Sequence, residues 1–207
     1  RIVHDGELSA MKQNLFLLKS LGVNDALVGN LGHLIPVREC GMAARGDFGL
    51  NLYNSWAMNA ARELELRSAT LSFEMTLPQI RDVSKAVPCE LLVYGRLPLM
   101  ITENCLTQGR TGQCTCHLMP TKLVDKTGAE FPVIKDGNSC RSVLLNGKKL
   151  SLLDRQNDLE HMGLWAVRLY FTTENPREVD HILACRSNPA PFDPGASTRG
   201  LYLRGLD

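Results

Sequence analysis

Short apolar runs alternate with helix-like segments through the first half of the chain, and this alternation constrains the fold more than any other feature. The apolar runs lie at residues 25–30, 48–53, 68–73 and 89–94. Segments with helical periodicity or capping signals accompany them, at residues 7–21, 35–40, 56–64 and 76–84. Continuous apolar runs, rather than strict alternation, are typical of parallel strands covered on both faces. Residues 1–97 are therefore predicted to form βα units of an α/β fold.

Local signals set the expected ends of the helices. Gly22 follows the first helical segment as a stop signal. Ser55 is expected to cap the helix Trp56–Leu64, and Thr76 to cap a helix that has Pro78 in its first turn. The run from Phe48 to Tyr53 is interpreted as the second strand.

The alternation of apolar runs and helix-like segments stops between residues 98 and 153 and resumes after them. Turn signals divide this stretch, which is predicted to be a cysteine-rich insertion of loops and hairpins. Residues 154–186 contribute a helix, the strand Trp165–Phe171 and a last helix that opens at Asn175–Pro176. Residues 187–207 are expected to form an irregular tail.

Five parallel strands fit either a doubly wound sheet or part of a (β/α)8 barrel of the TIM type. A complete barrel needs at least about 200 residues, and the insertion occupies residues 98–153. A C-terminal portion of a barrel therefore fits, whereas a full barrel does not.

Composition excludes few function classes. The formal net charge of +1 shows no basic excess typical of nucleic-acid binding, although a local patch would escape this count. No apolar run of about 18 residues predicts a membrane span. Seven cysteines, an odd number in 207 residues, favour a reducing, cytoplasmic setting over a disulfide framework. The chain begins Arg1-Ile2-Val3, and we expect it to be a piece of a longer protein.

Four cysteines lie within the insertion, in the pattern Cys105-x8-Cys114-x-Cys116-x23-Cys140. Thiolates are soft ligands for zinc, copper(I) or iron–sulfur clusters. A [4Fe–4S] cluster commonly takes four cysteines, whereas structural zinc prefers two Cys-x2–4-Cys pairs, of which none is present. The spacing leans towards iron–sulfur, with zinc and a metal-free set of thiols as the alternatives. His117 follows Cys116 and could replace one thiolate.

Polar residues at the predicted strand ends form a second candidate group, because ligands bind at the carboxyl edge of parallel sheets. Asn30, His33, Asn51 and Asn54 are predicted to bind substrate. Glu74 is the candidate acid or base, Tyr94 a further catalytic group, and Arg96 a clamp for a carboxylate or phosphate. Ser72, Thr172 and Glu174 lie at further strand ends. The alternative is that these residues are routine caps and turns.

Familiar catalytic motifs are absent from the sequence. It contains no Gly-x-Gly-x-x-Gly, no Gly-x4-Gly-Lys-Ser/Thr, no Gly-x-Ser-x-Gly and no His-Glu-x-x-His. The sequence therefore contains no motif for a protease nucleophile or for a catalytic zinc.

The segment Glu90-Leu-Leu-Val-Tyr-Gly95, followed by Gly112-Gln-Cys114, resembles the signature of the collagenase-like peptidases of unassigned mechanism, family thirty-two of that class. That signature runs Glu-x-Phe-x-x-Gly, then cysteines with a Gly-x-Cys. The segments 47–54, 94–100 and 198–205 resemble one bacterial branch of this family. Leu92 stands where Phe is usual, and Pro98 where a cysteine is usual.

The resemblance implies a (β/α)8-type barrel, of which this chain would be the C-terminal portion. It also implies a [4Fe–4S] cluster, with Cys114 and Cys140 matched by motif and Cys105 and Cys116 as the nearest partners. Members of the family resemble factors that hydroxylate RNA bases or quinone precursors without O2. The leading hypothesis is an iron–sulfur-dependent enzyme acting on an RNA base or an aromatic small molecule. A peptidase and a non-catalytic, metal-stapled binding module are the alternatives, and the missing N-terminal barrel portion, a second subunit or RNA are the expected partners.

Overall fold

A computed structural model describes residues 2–106, 108, 112–113, 121–136, 140–185, 191–193 and 195–205. The chain divides into two compact units. The first unit comprises Arg1–Leu92, Arg155–Arg168 and Gly200–Asp207, and the second comprises Val93–Asp154 and Leu169–Arg199.

The described residues contain helices and strands in an alternating order. The helices are α1 (Asp5–Ser20), α2 (Leu34–Glu39), α3 (Ser55–Glu63), α4 (Leu77–Asp82), α5 (Gln156–Glu160) and α6 (Pro176–Ala184). The strands are β1 (Asp25–Val28), β2 (Ala43–Gly46), β3 (Ser68–Thr70), β4 (Cys89–Gly95), β5 (Pro98–Thr102), β6 (Thr121–Val124), β7 (Glu130–Lys135), β8 (Ser142–Leu145), β9 (Lys149–Ser151), β10 (Ala166–Tyr170) and β11 (Ser197–Thr198). No helix in the described part of the chain is both long and apolar enough to cross a membrane.

The first unit is built on a parallel sheet in the order β1-β2-β3-β4, with β10 paired to β4. The register aligns Gly46 with Ala69 and Thr70 with Glu90. Because paired residues of parallel strands point to the same face, one face carries small and apolar side chains and the other carries polar ones. Ala44, Ala69, Leu71 and Leu91 on the apolar face are buried.

The predicted α/β class with a parallel sheet is thus confirmed. The described strands form an open sheet and close no barrel, so the assignment to a (β/α)8 barrel stays a prediction.

The second unit contains mainly antiparallel pairs. Four strands form a sheet in the order β5-β8-β7-β6. The last residues of β4 pair with β9 in antiparallel fashion, with Tyr94 opposite Ser151, and β11 pairs in parallel with β9. Antiparallel pairs of consecutive strands, β6–β7 and β7–β8, therefore lie within residues 98–153.

Two local predictions in the first unit were wrong. The run from Phe48 to Tyr53 is not a strand, because the Asp47 side chain caps a 3-10 turn at Phe48–Leu50 and Asn51 follows with φ of 51°. The second strand is β2, which precedes this turn. Helix α3 is capped by Asn54 rather than by Ser55, since the Asn54 side chain accepts the N–H of Ala57 at 2.9 Å.

The described C-terminal residues form turns and extended segments apart from β11, and one of them is buried in the core. Tyr202 is fully buried in the first unit, and its hydroxyl donates to the carbonyl of Leu92 at 2.8 Å. Its own carbonyl accepts the N–H of Leu77, the first residue of α4. Tyr202 is therefore part of the core of the first unit, whereas Leu203 and Arg204 beside it are exposed.

Candidate active site

Tyr94 and Arg96, two of the three predicted catalytic residues, line one cavity of about 430 Å³ in the second unit. Strand β4 and the residue that follows Gly95 position them. Glu74, the third, belongs to the first unit and is exposed in the turn before α4, where its backbone N–H donates to the Ser72 hydroxyl at 3.3 Å.

Gly95 allows the chain to turn from Tyr94 to Arg96. Its φ is +127°, a conformation that residues with a side chain rarely adopt. A Cβ atom at this position would lie 2.1 Å from the carbonyl oxygen of Tyr170. Strands β4 and β10 therefore meet here only because residue 95 is glycine.

A buried cluster of Tyr94, Lys149 and Glu174 adjoins the cavity. The Tyr94 hydroxyl donates to Glu174 Oε1 at 3.3 Å, and Lys149 Nζ lies 3.0 Å from the same oxygen. The Glu174 side chain is inaccessible to solvent, and its Oε2 accepts the backbone N–H groups of Thr172 and Thr173. Lys149 also contacts Glu178 Oε1 at 3.3 Å. The ammonium of Lys149 is therefore shared between two carboxylates.

The protonation states follow from this environment. Burial alone would raise the pKa of Glu174, but hydrogen bonds from the Thr172 N–H and from Lys149 outweigh it, and its pKa is lowered. Burial would lower the pKa of Lys149, but Glu174 and Tyr94 raise it. Burial raises the pKa of Tyr94. At neutral pH the site thus contains a neutral phenol, an ammonium and a carboxylate.

Arg96 is fixed by neutral groups. Its Nη1 donates to the carbonyls of Asn146, at 2.9 Å, and of Gly147. Its Nε donates to the Thr173 hydroxyl at 3.2 Å. No carboxylate forms an ion pair with Arg96 among the residues that the structure describes. The positive charge of Arg96 is therefore oriented but not neutralised.

The four predicted substrate-binding residues lie in the first unit, where three have local structural roles. Asn30 is the cap of the 3-10 turn Leu31–His33, and Asn54 caps α3. Asn51 is exposed and adopts the left-handed conformation. Burial lowers the pKa of His33, so its imidazole is neutral near pH 7.

A second ionic cluster, in the first unit, was missed by sequence reasoning. Arg168 donates to both oxygens of Glu90, at 2.8 and 3.2 Å, and to Asp47 at 2.5 Å. These three side chains are at most 20% exposed. An acidic residue inside the apolar run Cys89–Tyr94 was the one available signal, because a buried carboxylate requires a cation.

The cysteines of the insertion are held by two connections of the four-stranded sheet. Cys105 is half-buried, three residues beyond the end of β5, and Cys140 is exposed, two residues before β8. Cys114, Cys116 and His117 lie outside the described residues. Within the described part of the chain, no three His, Cys, Asp or Glu side chains form a group that could hold a metal ion.

The strand register nevertheless relates the cysteine-bearing connections to each other. Thr102, the last residue of β5, pairs with Ser142, the first of β8, and Ser142 pairs with Lys135, the last of β7. Thr121, the first residue of β6, pairs with Val133 near the same end of β7. The connections 103–120 and 136–141 therefore begin and end at the same end of this sheet.

Cys40, Cys89 and Cys185 are buried, as expected for cysteines within ordinary elements. Burial raises the pKa of Cys89 to about 11, which makes it a poor nucleophile at neutral pH.

These observations define a mixed α/β protein with a parallel sheet and an antiparallel sheet whose connections carry cysteines. The model of peptidase family U32 matches residues 1–185, and the chain belongs to this family. This confirms the resemblance found at Glu90–Gly95 and Gly112–Cys114. No curated protein and no solved structure was found to match the chain.

Proposed function

We propose that this chain is part of an iron–sulfur-dependent enzyme that hydroxylates an RNA base or an aromatic small molecule in the cytoplasm. The observation that carries the proposal is the register of the four-stranded sheet. By pairing Thr102 with Ser142, it brings the connection that contains Cys105, Cys114 and Cys116 to the same sheet end as the connection that contains Cys140.

The described residues fit a thiolate-bound cluster. Cys105 and Cys140 flank adjacent strand ends, and thiolates are the usual ligands of iron–sulfur clusters. Arg141, which is 4% exposed, lies 3.3 Å from Glu103 and 3.9 Å from Asp136 and so links the two connections. Cys105, Cys114, Cys116 and Cys140 would hold a [4Fe–4S] cluster, which supplies electron transfer when bound.

The cavity supports the choice of substrate. Its volume of about 430 Å³ suits a single base or a small ring compound. Arg96 and the Tyr94–Lys149–Glu174 cluster supply polar groups on one side, and Leu153, Ile182 and Pro191 supply an apolar wall. The side chains of this unit would thus bind and orient the substrate.

Metal analysis of anaerobically purified protein tests the proposal. We expect a brown protein with about four iron atoms per chain, and loss of most of the iron in Cys140→Ser. Cys40→Ala is the matched control, since Cys40 is buried in the first unit and should leave the iron content unchanged. A colourless protein with stoichiometric zinc would contradict the proposal and support a metal-stapled binding module.

The family description favours a peptidase as the second candidate. Gelatin or casein cleavage that disappears in Glu74→Ala would establish it. A protein that contains the cluster but cleaves neither substrate would leave hydroxylation as the better account.

We further propose that the N-terminal barrel portion or a second subunit covers the first unit, with RNA as a further partner. Strand β1 is the edge of the parallel sheet, and Phe16, Leu17 and Leu21 of α1 and its cap are 55%, 58% and 71% exposed. Unpaired edges and apolar helix faces are usually covered. Light scattering of the 207-residue chain tests this proposal. A dimer would support a second subunit as the cover, and a monomer would support the N-terminal barrel portion.

A further inference from the structure

The cationic groups at the 430 Å³ cavity of the second unit differ in their partners. Among the described lining residues, Arg96, Lys148 and Lys149 are cationic and Asp193 is acidic. Lys149 is already compensated by Glu174 and Glu178, at 3.0 and 3.3 Å. Asp193 Oδ1 accepts the backbone N–H of Gly195 at 2.8 Å. Arg96, by contrast, donates to two carbonyls and a hydroxyl.

Arg96 is better placed than Lys148 to bind a ligand. Lys148 is exposed, whereas Arg96 is half-buried and held by three hydrogen bonds to neutral oxygens. These bonds use Nε and Nη1. They leave Nη2 to donate to a ligand. A guanidinium fixed in this way loses little further entropy when it donates to an oxygen of a carboxylate or phosphate.

The rest of the cavity wall suits a ring. Leu153, Ile182 and Pro191 line it together with the buried Tyr94. The phenol of Tyr94 donates to Glu174 and stays neutral, so it adds no charge that would repel an anion. An apolar wall with one oriented cation is the combination that binds a small ring compound with a single anionic group.

We infer that this cavity binds the anionic group, a carboxylate or a phosphate, of a small ring-containing ligand through Arg96. The inference rests on the proposed function only in taking this cavity as the substrate site. It narrows the substrate class to aromatic acids or phosphorylated ring compounds, a nucleotide included.

A ligand-detected NMR titration tests the inference with three probes that share one ring. Benzoate carries a carboxylate, phenyl phosphate carries a phosphate, and benzamide is the uncharged control. We expect at least one anion to bind about tenfold more tightly than benzamide, the usual effect of one hydrogen bond to a charged group. A preference for benzoate identifies a carboxylate ligand, and a preference for phenyl phosphate identifies a phosphate ligand.

The variants locate the binding site. Arg96→Gln should weaken binding of the preferred anion about tenfold. Arg96→Lys should restore part of the binding, since it keeps the charge but loses the fixed orientation of the guanidinium. Arg177→Gln is the matched control. Arg177 lines a neighbouring opening of about 320 Å³, which shares Tyr94 and Ile182 with the cavity, but Arg177 itself does not line the cavity. Circular dichroism checks that each variant folds.

Equal binding of benzamide and both anions to the unaltered protein would overturn the inference, even if Arg96→Gln does not fold. So would a loss of binding in Arg177→Gln with none in Arg96→Gln. The cluster does not enter this measurement. Cys140→Ser should bind the anion normally, so an absence of iron and an absence of anion binding are separate results.

Discussion

In the first unit the guanidinium of Arg168 meets two carboxylates, whereas in the second unit the guanidinium of Arg96 meets two carbonyls and a hydroxyl. Both side chains are anchored by residues distant in sequence. The Arg168 cluster has an excess of negative charge and no oriented cation left for a ligand. The Arg96 site has its cation oriented and unneutralised.

This difference separates a structural role from a binding role. A buried ion pair that loses one partner leaves an uncompensated charge, so Arg168 is needed for stability. Carbonyls and a hydroxyl are satisfied more easily by water or by another donor. Arg96 is therefore expected to matter more for binding than for folding.

The largest expected effect is that of Arg168→Met. Removal of the cation leaves the largely buried carboxylates of Glu90 and Asp47 without the charge of Arg168, which should lower the free energy of unfolding by about 3 kcal/mol. Urea denaturation followed by circular dichroism measures it. Arg81→Met, at an arginine exposed beside Asp82, is the control and should leave the urea midpoint unchanged. A normal midpoint in Arg168→Met would show that the cluster does not stabilise the first unit.

Glu174→Gln should lower the free energy of unfolding by about 2 kcal/mol at pH 7, because a fully buried acceptor loses its charge beside Lys149 and two N–H groups. Since the pKa of Glu174 is held below its ordinary value of 4.5, its stabilisation is present above that pH and is lost as the pH falls through the lowered pKa.

Thermal unfolding between pH 7 and pH 3 checks this sign. The difference in melting temperature between the unaltered protein and Glu174→Gln should shrink as the pH falls. Glu178→Gln, an exposed neighbour of Lys149, serves as the control with a smaller difference. A difference that grows at low pH would contradict an ionised Glu174.

Arg96→Gln should lower the free energy of unfolding by about 1 kcal/mol, clearly less than Arg168→Met, since it removes hydrogen bonds to neutral groups rather than a partner of buried carboxylates. The same urea titration compares the two. Equal losses of unfolding free energy in Arg96→Gln and Arg168→Met would contradict the difference between the two clusters and show that Arg96 has a structural role.

The smallest expected effect concerns a polar residue of the first unit that sequence reasoning assigned to substrate binding. Asn54→Ala should lower the free energy of unfolding by about 0.5–1 kcal/mol through the lost cap of α3, and Asn54→Asp should retain the stability. Thermal unfolding of both variants measures these changes in stability. If Asn54→Asp loses substrate binding with unchanged stability, Asn54 belongs to a binding site instead.

Local chemistry made much of the fold predictable. Thr76 and Asn175 cap α4 and α6 as expected, with Gln79 and Glu178 completing both capping boxes. These signals act within four residues, so the sequence contains all the interacting groups. The wrong strand at Phe48–Tyr53 was also inferred from a local signal. An apolar run does not distinguish a strand from a tight turn closed by Asp47.

The candidate site was predictable only in part. The sequence indicated Tyr94 and Arg96 as candidates because they lie at the carboxyl end of a buried strand, where such sheets bind ligands, and both line the cavity. Lys149 was not found, since its role depends on Glu174 and Tyr94, which are 25 and 55 residues away in the chain. The sequence immediately around Lys149 contains no signal that identifies it as a site residue.

The sequence by itself determined the parallel βα rhythm, the caps of α4 and α6 and the cysteine-bearing stretch between residues 98 and 153, because periodicity and capping depend on neighbours along the chain. Only the tertiary structure decided that Arg168 is neutralised and Arg96 is not, and that the two cysteine-bearing connections begin and end at one sheet end. Charge balance and strand register depend on which distant segments pair, and pairing is set by packing of the whole unit.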